Sequence, residues 1–431
     1  MANRVYFANQ QVALKPVGAP AGGNPWRIAH GVQSVAVTTT FNLEQAFELG
    51  QLAIYENIEG VPDIEVSCSK VLDGWPLLYH LATNRLGGHN SGPTLAGRSN
   101  AATVVALGIW PDTVDSARGK PNQQMEASGM FASSVSYNFP LEDNFSEDIT
   151  LVGNNKGWLN AATLGSTTTE GTYGQFIGCT GGGAGWKADV SSGTPANYTS
   201  NPGMSGNDDQ PKATGAQSLG SDAWTADQFG GINRRENLAF APDVRRLADG
   251  TLTGGCDYTR IPNEIPGVTS GGWINPRAAA NDVRLQSITV STDLGREELF
   301  ELGTRQPYAR VVTFPVEVTC DLEVLSLSGD MINAFADGCN TSADQCTGVV
   351  DNISDQTIRI ATCEGTRIFL GSKNKLASVN YGGGDAGGGN VTVTYSYTTF
   401  NDFTVLHPQD PDPSGTGWWR TRNTYLHETQ V

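Results

Sequence analysis

The residues able to ligate metal or move protons are scattered along this chain. It has five histidines and seven cysteines in 431 positions. His30, His80, His89, His407 and His427 never fall at metal-ligand spacing with a carboxylate between them. They read as satisfied or solvated imidazoles. Gly382, Gly384 and Gly387 spell a dinucleotide-type pattern, but a β-branched stretch, Asn390 to Tyr397, follows it. A pyrophosphate needs a helix N-terminus there, so the run reads as a hairpin loop. Asp410, Asp412 and Ser414 begin like a calcium loop, yet Thr421 stands where the closing Glu belongs and Pro411 and Pro413 fill the gaps. Glu297 and Glu298 read as a solvated pair on an exposed face. The chain has neither a Gly-x-Ser-x-Gly elbow nor a Walker sequence. No catalytic, cofactor-binding or metal-ligating residue is expected, and no enzyme.

The cysteines are Cys68, Cys179, Cys256, Cys320, Cys339, Cys346 and Cys363. An odd count with no secretory leader suits free thiols better than a disulfide framework. Cys68 and Cys320 occupy apolar positions of alternating runs and are expected in the core. Cys339 and Cys346 could bridge a short loop, and their spacing matches no common zinc pattern.

Composition sets what must hold these residues. Only 16% of positions are charged, and the chain has 52 Gly and 21 Pro. Short apolar runs separated by Gly, Ser, Thr and Asn indicate many short strands and long loops. The net charge of −17 opposes binding to nucleic acid or to an anionic membrane surface. The longest apolar stretch, Val104 to Trp110, is too short to cross a bilayer, and the N-terminus lacks the apolar core of a signal peptide. Synthesis and folding in a cytoplasm are expected.

The architecture is expected to follow from an internal repeat. Phe47-Glu48-Leu49-Gly50 recurs 253 positions later as Phe300-Glu301-Leu302-Gly303. At the same offset Ser34, Val37, Thr39, Glu44 and Tyr55 match Ser287, Val290, Thr292, Glu297 and Tyr308. Downstream, Ile64, Val66 and Cys68 align with Val316, Val318 and Cys320 across a one-residue deletion. Leu77 to Ala82 then aligns with Met331 to Ala336, and Val135 to Phe139 with Val393 to Tyr397. An ancient duplication accounts for this order.

Each unit reads as a strand over 34–40 and a short helix N-capped by Asn42 with Gln45 as a capping-box partner. Gly50 stands at its left-handed C-terminal position. Strands over 51–56 and 63–72, a helical turn opened by Pro76, and strands over 101–110 and 130–139 follow. Phe47 and Phe300 are expected as buried anchors of the two helices. The segment 161–283 is a Gly-, Ser- and Thr-rich insertion that partly completes the first domain. Residues 233–237 and 261–267 stand out in it as packing segments. Trp418-Trp419-Arg420 reads as an aromatic anchor near the C-terminus.

The stretch Thr38-Thr39-Thr40-Phe41-Asn42-Leu43-Glu44-Gln45-Ala46-Phe47-Glu48-Leu49-Gly50-Gln51-Leu52-Ala53-Ile54-Tyr55-Glu56-Asn57, with Pro62-Asp63-Ile64-Glu65-Val66 and Lys70-Val71-Leu72-Asp73-Gly74, resembles tail tube proteins of tailed bacteriophages. The resemblance implies a mainly β fold. Two tube-like domains, 1–160 and 284–431, would each have two packed antiparallel sheets, as a sandwich or half-barrel, and a short flanking helix. It implies a structural virion protein of the tail. Its homotrimeric rings of pseudo-sixfold symmetry stack head to tail and meet other tail proteins, and DNA passes through the lumen without tight binding. It implies no cofactor and no membrane partner. A trimeric tail hub or baseplate protein and a capsid-decorating β protein are the alternatives. Asp63, Glu65, Glu317 and Asp321 alternate with apolar residues, so they are expected on a polar face lining the lumen.

Overall fold

A computed structural model describes residues 5, 7, 10–17, 26–50, 52, 54–73, 76–83, 94–109, 121–160, 232–238, 259–268, 283–326, 329–330, 332, 354–362, 366–382 and 389–407. Outside them lie Cys179, Cys256, Cys339, Cys346, Cys363, His89, His427, Gly384, Gly387, the acidic run after His407, the Trp418-Trp419-Arg420 anchor, and most of 161–283 and 331–336. Strand makes up 59% of the described residues and helix 6%, so the fold is mainly β.

The first half opens with β1 (Gln10–Pro16), β2 (Arg27–Ile28) and β3 (Val32–Thr40). A hairpin of β4 (Leu43–Phe47) and β5 (Ile54–Glu59) leads to β6 (Asp63–Val71), which returns beside β3. The helices α1 (Leu78–Ala82) and α2 (Leu95–Arg98) precede β7 (Thr103–Ile109), the long β8 (Gln123–Pro140), β9 (Ser146–Gly153) and β10 (Asn155–Asn160). The second half starts with β11 (Arg284–Asp293), a hairpin of β12 (Arg296–Leu299) and β13 (Ala309–Val312), and β14 (Glu317–Leu325). It ends with β15 (Arg359–Ala361), β16 (Arg367–Phe369), β17 (Lys375–Gly382), β18 (Thr392–Phe400) and β19 (Thr404–Leu406).

One long antiparallel sheet runs through both halves in the order β3-β6-β9-β8-β11-β14-β18-β17. β8 is long enough to serve two sheets. Its C-terminal part pairs with β9 and β11, and its N-terminal part pairs with β7 and β10, extending through β1 to β2. In the second half, β15, β16 and β19 form a separate sheet. The alternating apolar rows of β6, β8, β11, β14 and β18 turn inward, with Val66, Tyr137, Val290, Cys320 and Tyr397 inaccessible to solvent or nearly so. Cys68 and Cys320 are buried free thiols, and burial raises both above the ordinary thiol range, Cys68 to about 12. Asn233 bonds the backbone of Leu72 and Phe145, and Ile261 and Ile265 are buried, so parts of the long connection fill gaps in the core.

The halves share their irregularities. β3 and β11 each bulge at a glutamine, Gln33 and Gln286, whose amide donates to a carbonyl two residues back at 3.2 Å. The β4–β5 pairs Leu43↔Glu59 and Gln45↔Asn57 recur as Arg296↔Val312 and Glu298↔Arg310, the same register 253 positions on. A further bulge, at Ser133 in β8, recurs at Ala377 in β17.

Three sequence expectations are corrected. The short helices are hairpins, and Phe47 and Phe300 are exposed, at 64% and 56%, rather than core anchors. A five-residue window cannot separate a period of 3.6 from one of 2. A helix of one turn fixes a costly nucleus for very few hydrogen bonds, whereas β4 is paired along its length with β5. Asn42 caps nothing; its amide donates to Val61 O and to Asp63. Gly50 and Gly303 keep the left-handed conformation expected of them, φ 95° and 94°, as hairpin-tip residues. Secondly, strand pairing places Val318, not Val316, in the position of Ile64, so the second half carries an insertion before β14 and not a deletion. Thirdly, β18 occupies the place of β9, while β8 corresponds to β17. The strand β9 was not legible as an element.

Candidate functional site: a polar sheet face between two open edges

The long sheet has one apolar and one polar face. Asp63 and Glu65 on β6 and Glu317 and Asp321 on β14 all fall on the polar one, because Ile64, Val66, Val318 and Cys320 between them are buried. The same face gathers Asp148, Asp293 and Glu323, which the sequence reading passed over. Asp148 sits opposite Ser69 and Ser136, Asp293 opposite Ser134, and Glu323 opposite Ser287. The available signal was the alternation around Ile149 and Leu151, interrupted by the acidic pair Glu147-Asp148.

Among the strands of this sheet the only basic residues are Lys70, turned into the core, and Arg284 and Lys375 at strand ends. Short polar side chains cover the rest. A groove of about 540 Å³ crosses the face between β3 and β11, lined by Ser34, Ser67, Ser69, Ser134, Ser136 and Ser291. Neighbouring side chains hold several of the carboxylates in place. Asn138 donates to Asp148 at 3.0 Å, Ser287 to Glu323 at 3.0 Å, and Ser67 to Glu65 at 3.3 Å. The described part of this face is an acidic floor faced with serine hydroxyls. No group of three His, Cys, Asp or Glu side chains able to hold a metal ion occurs among the described residues.

Asp63 differs from its companions. It lies at the rim, accepts from Asn42 at 2.9 Å, and pairs with Arg310 at 3.4 Å. Arg310 belongs to the β12–β13 hairpin, which three arginines tie to the first half. Arg310 also pairs with Glu298 and donates to Asn154 at 3.0 Å. Arg305 donates to the carbonyls of Glu59 and Gly60. Arg296 donates to Ala132 O at 2.8 Å and covers the Phe131 ring.

On the apolar side, Glu147 is fully buried. Its carboxylate accepts from the N–H groups of Leu78 and Tyr79 at 2.6 and 2.9 Å and from Tyr137 Oη at 2.9 Å. Burial raises its pKa, and the backbone donors oppose that shift. It therefore serves α1 as a cap supplied from another strand, since Leu77 offers none. The helix in turn bonds the second half: His80 meets Val405 O at 3.1 Å, and Tyr79 packs edge-on against Phe403 at 5.9 Å.

No protein-family model matches the chain, and none of the curated proteins does. Among solved structures, the cap terminating the tube of the anti-feeding prophage is 11% identical over 37% of this chain and 94% of that one, with a TM-score of 0.26. The sheath-tube complex of the extracellular contractile injection system PVC, in its extended state, is 10% identical with the same coverages and score. Hcp1 from Salmonella typhimurium is 11% identical over 36% of this chain and 96% of that one, with a TM-score of 0.19. At these scores the likeness is a resemblance of parts and carries no argument about function.

Both ends of the long sheet are open: among the described residues β3 pairs only with β6 and β17 only with β18. The hairpin tips are open too, with Leu49, Leu52 and Leu302 fully exposed. Among the described residues, no helix is long and apolar enough to cross a membrane.

Proposed function

We propose that the chain is the repeating subunit of a phage-type tail tube. Three copies close head to tail into a ring whose long sheets join as one barrel, and rings stack into a hollow tube through which DNA travels. The observation that carries this reading is a single sheet with two equivalent halves, two edges unpaired among the described residues and one face left polar. A sheet edge exposes unpaired N–H and C=O groups, and closing the sheet on itself removes them. A head-to-tail contact that closes gives a cyclic ring, and two tube-like halves per chain make a trimer pseudo-sixfold. The polar face becomes the lumen. Its carboxylates repel phosphates, in keeping with the net charge of −17, so a DNA strand slides without adhering. The exposed leucines at the hairpin tips meet the next ring, where burial stabilises stacking. The protein then works in the tail of the virion, as a scaffold without bound cofactor.

Native mass spectrometry with negative-stain microscopy tests this. Trimers and long hollow tubes are expected. A monomer at every concentration, or a ring of six chains, overturns the reading.

A further inference from the structure

Within the chain, β8 of the first half pairs with β11 of the second, with Tyr137 opposite Val290, Ser136 opposite Ser291 and Val135 opposite Thr292. β17 holds in the second half the place that β8 holds in the first. Each has a bulge one residue before a serine, Ser134 or Ser378, and each then runs on as Val-x-Tyr, Val135 to Tyr137 and Val379 to Tyr381. β3 likewise holds the place of β11, down to the glutamine bulge.

The two free edges are unfinished in the way this correspondence requires. Tyr137 is inaccessible to solvent, whereas its counterpart Tyr381 is 47% exposed. Val35, Val37, Leu376 and Val379 lie in the apolar row yet are only partly buried. Neither edge strand carries a proline, and Lys375 at one end is the only charge on either, so neither has the usual protection against pairing.

We propose that β17 of one copy pairs antiparallel with β3 of the next, with Tyr381 opposite Val37, Asn380 opposite Thr38 and Val379 opposite Thr39. The partner is a second copy of this chain, and the inference rests on the ring reading above. The register keeps both apolar rows on the core side and both polar rows on the lumen side; a slip of one residue would reverse them.

The clamp differs between the two kinds of junction. At the positions of Arg296, Arg305 and Arg310, the first half carries Leu43, Leu52 and Asn57. The same correspondence sets Leu43 and Asn57 of the next copy beside Leu376 and Phe400 of the first, and Phe400 is exposed in the single chain. The in-chain junction is thus held by guanidinium groups, and the junction between copies by apolar contact, which salt does not screen.

Cysteine pairs read the register directly, since a disulfide needs Cα atoms about 4.4–6.8 Å apart. Thr38 and Asn380 both lie in the polar row, so T38C/N380C keeps the core intact. The in-chain pair S136C/S291C, already opposite, sets the attainable oxidation yield. Oxidised T38C/N380C is expected to run as covalent multimers on non-reducing gels at comparable yield, and S34C/N380C, displaced by four residue pairs, as monomer. Rings in the microscope without the T38C/N380C cross-link overturn the register and leave the ring reading standing. Wild-type protein that forms no rings overturns both.

Discussion

Glu147 offers the most demanding test of how this fold is held together. Truncation to alanine leaves three buried donors, the N–H groups of Leu78 and Tyr79 and the hydroxyl of Tyr137, without the acceptor they share. Each unsatisfied donor costs about 1–3 kcal/mol, and the sum is offset by no longer burying a carboxylate. The expected net loss for Glu147→Ala is about 3 kcal/mol. Glu147→Gln preserves the shape and one acceptor oxygen, so its loss should fall near half of that. Urea denaturation reads both as a lower midpoint at unchanged slope. The pH dependence adds a signed check. Burial holds the native carboxyl above its ordinary 4.5, so the native state takes up the proton before the unfolded chain does. The advantage of wild type over Glu147→Gln should therefore be fullest below pH 4.5 and shrink as the pH rises through the native value. A loss under about 1 kcal/mol for Glu147→Ala would refute the view that this side chain caps α1 and ties it to the sheet.

Further outcomes are expected. Burial depresses His30 to about 3, with Lys70 adding to the shift, and burial also lowers His80. The unfolded chain then binds these protons first, and stability should fall below pH 6.5 by about 1.4 kcal/mol per pH unit for each histidine. His30→Gln should remove one share of that slope in pH-dependent denaturation, and an unchanged slope would count against a neutral His30 in the native state. Phe47→Ala and Phe300→Ala should each change monomer stability by less than about 0.5 kcal/mol, because both rings are exposed. Thermal unfolding that shows a loss of several kcal/mol would mean these rings are enclosed after all. Replacing Glu65, Glu317 and Asp321 together by Lys should leave rings and tubes intact in the microscope and lower DNA delivery. Undiminished infectivity would show that these residues do not set the charge of a channel.

The sequence by itself determined the class of fold, the recurrence 253 positions apart, and the two-faced character of β6 and β14. These follow from local rules: β-branched composition, and a side-chain period of 2 that sorts Asp63 and Glu65 from Ile64 and Val66 wherever the strand is placed. Gly50 and Gly303 were legible for the same reason, since a left-handed residue is needed at a tight turn whether a helix or a strand leads into it. Only the tertiary structure decided that the strand pair flanking each glycine is a hairpin, because Leu43 to Phe47 satisfies both periods and the choice falls to the pairing partner, β5. The offset between β6 and β14 was likewise invisible. Sliding one strand by two residues returns every side chain to the same face, so the hydrophobic pattern is indifferent to it and hydrogen-bonded neighbours settle it. The roles of Glu147 and Asp148 separate for the same physical reason. They are adjacent in sequence and alike in chemistry, but pleating turns one toward the N-terminus of α1 and the other toward the open polar face.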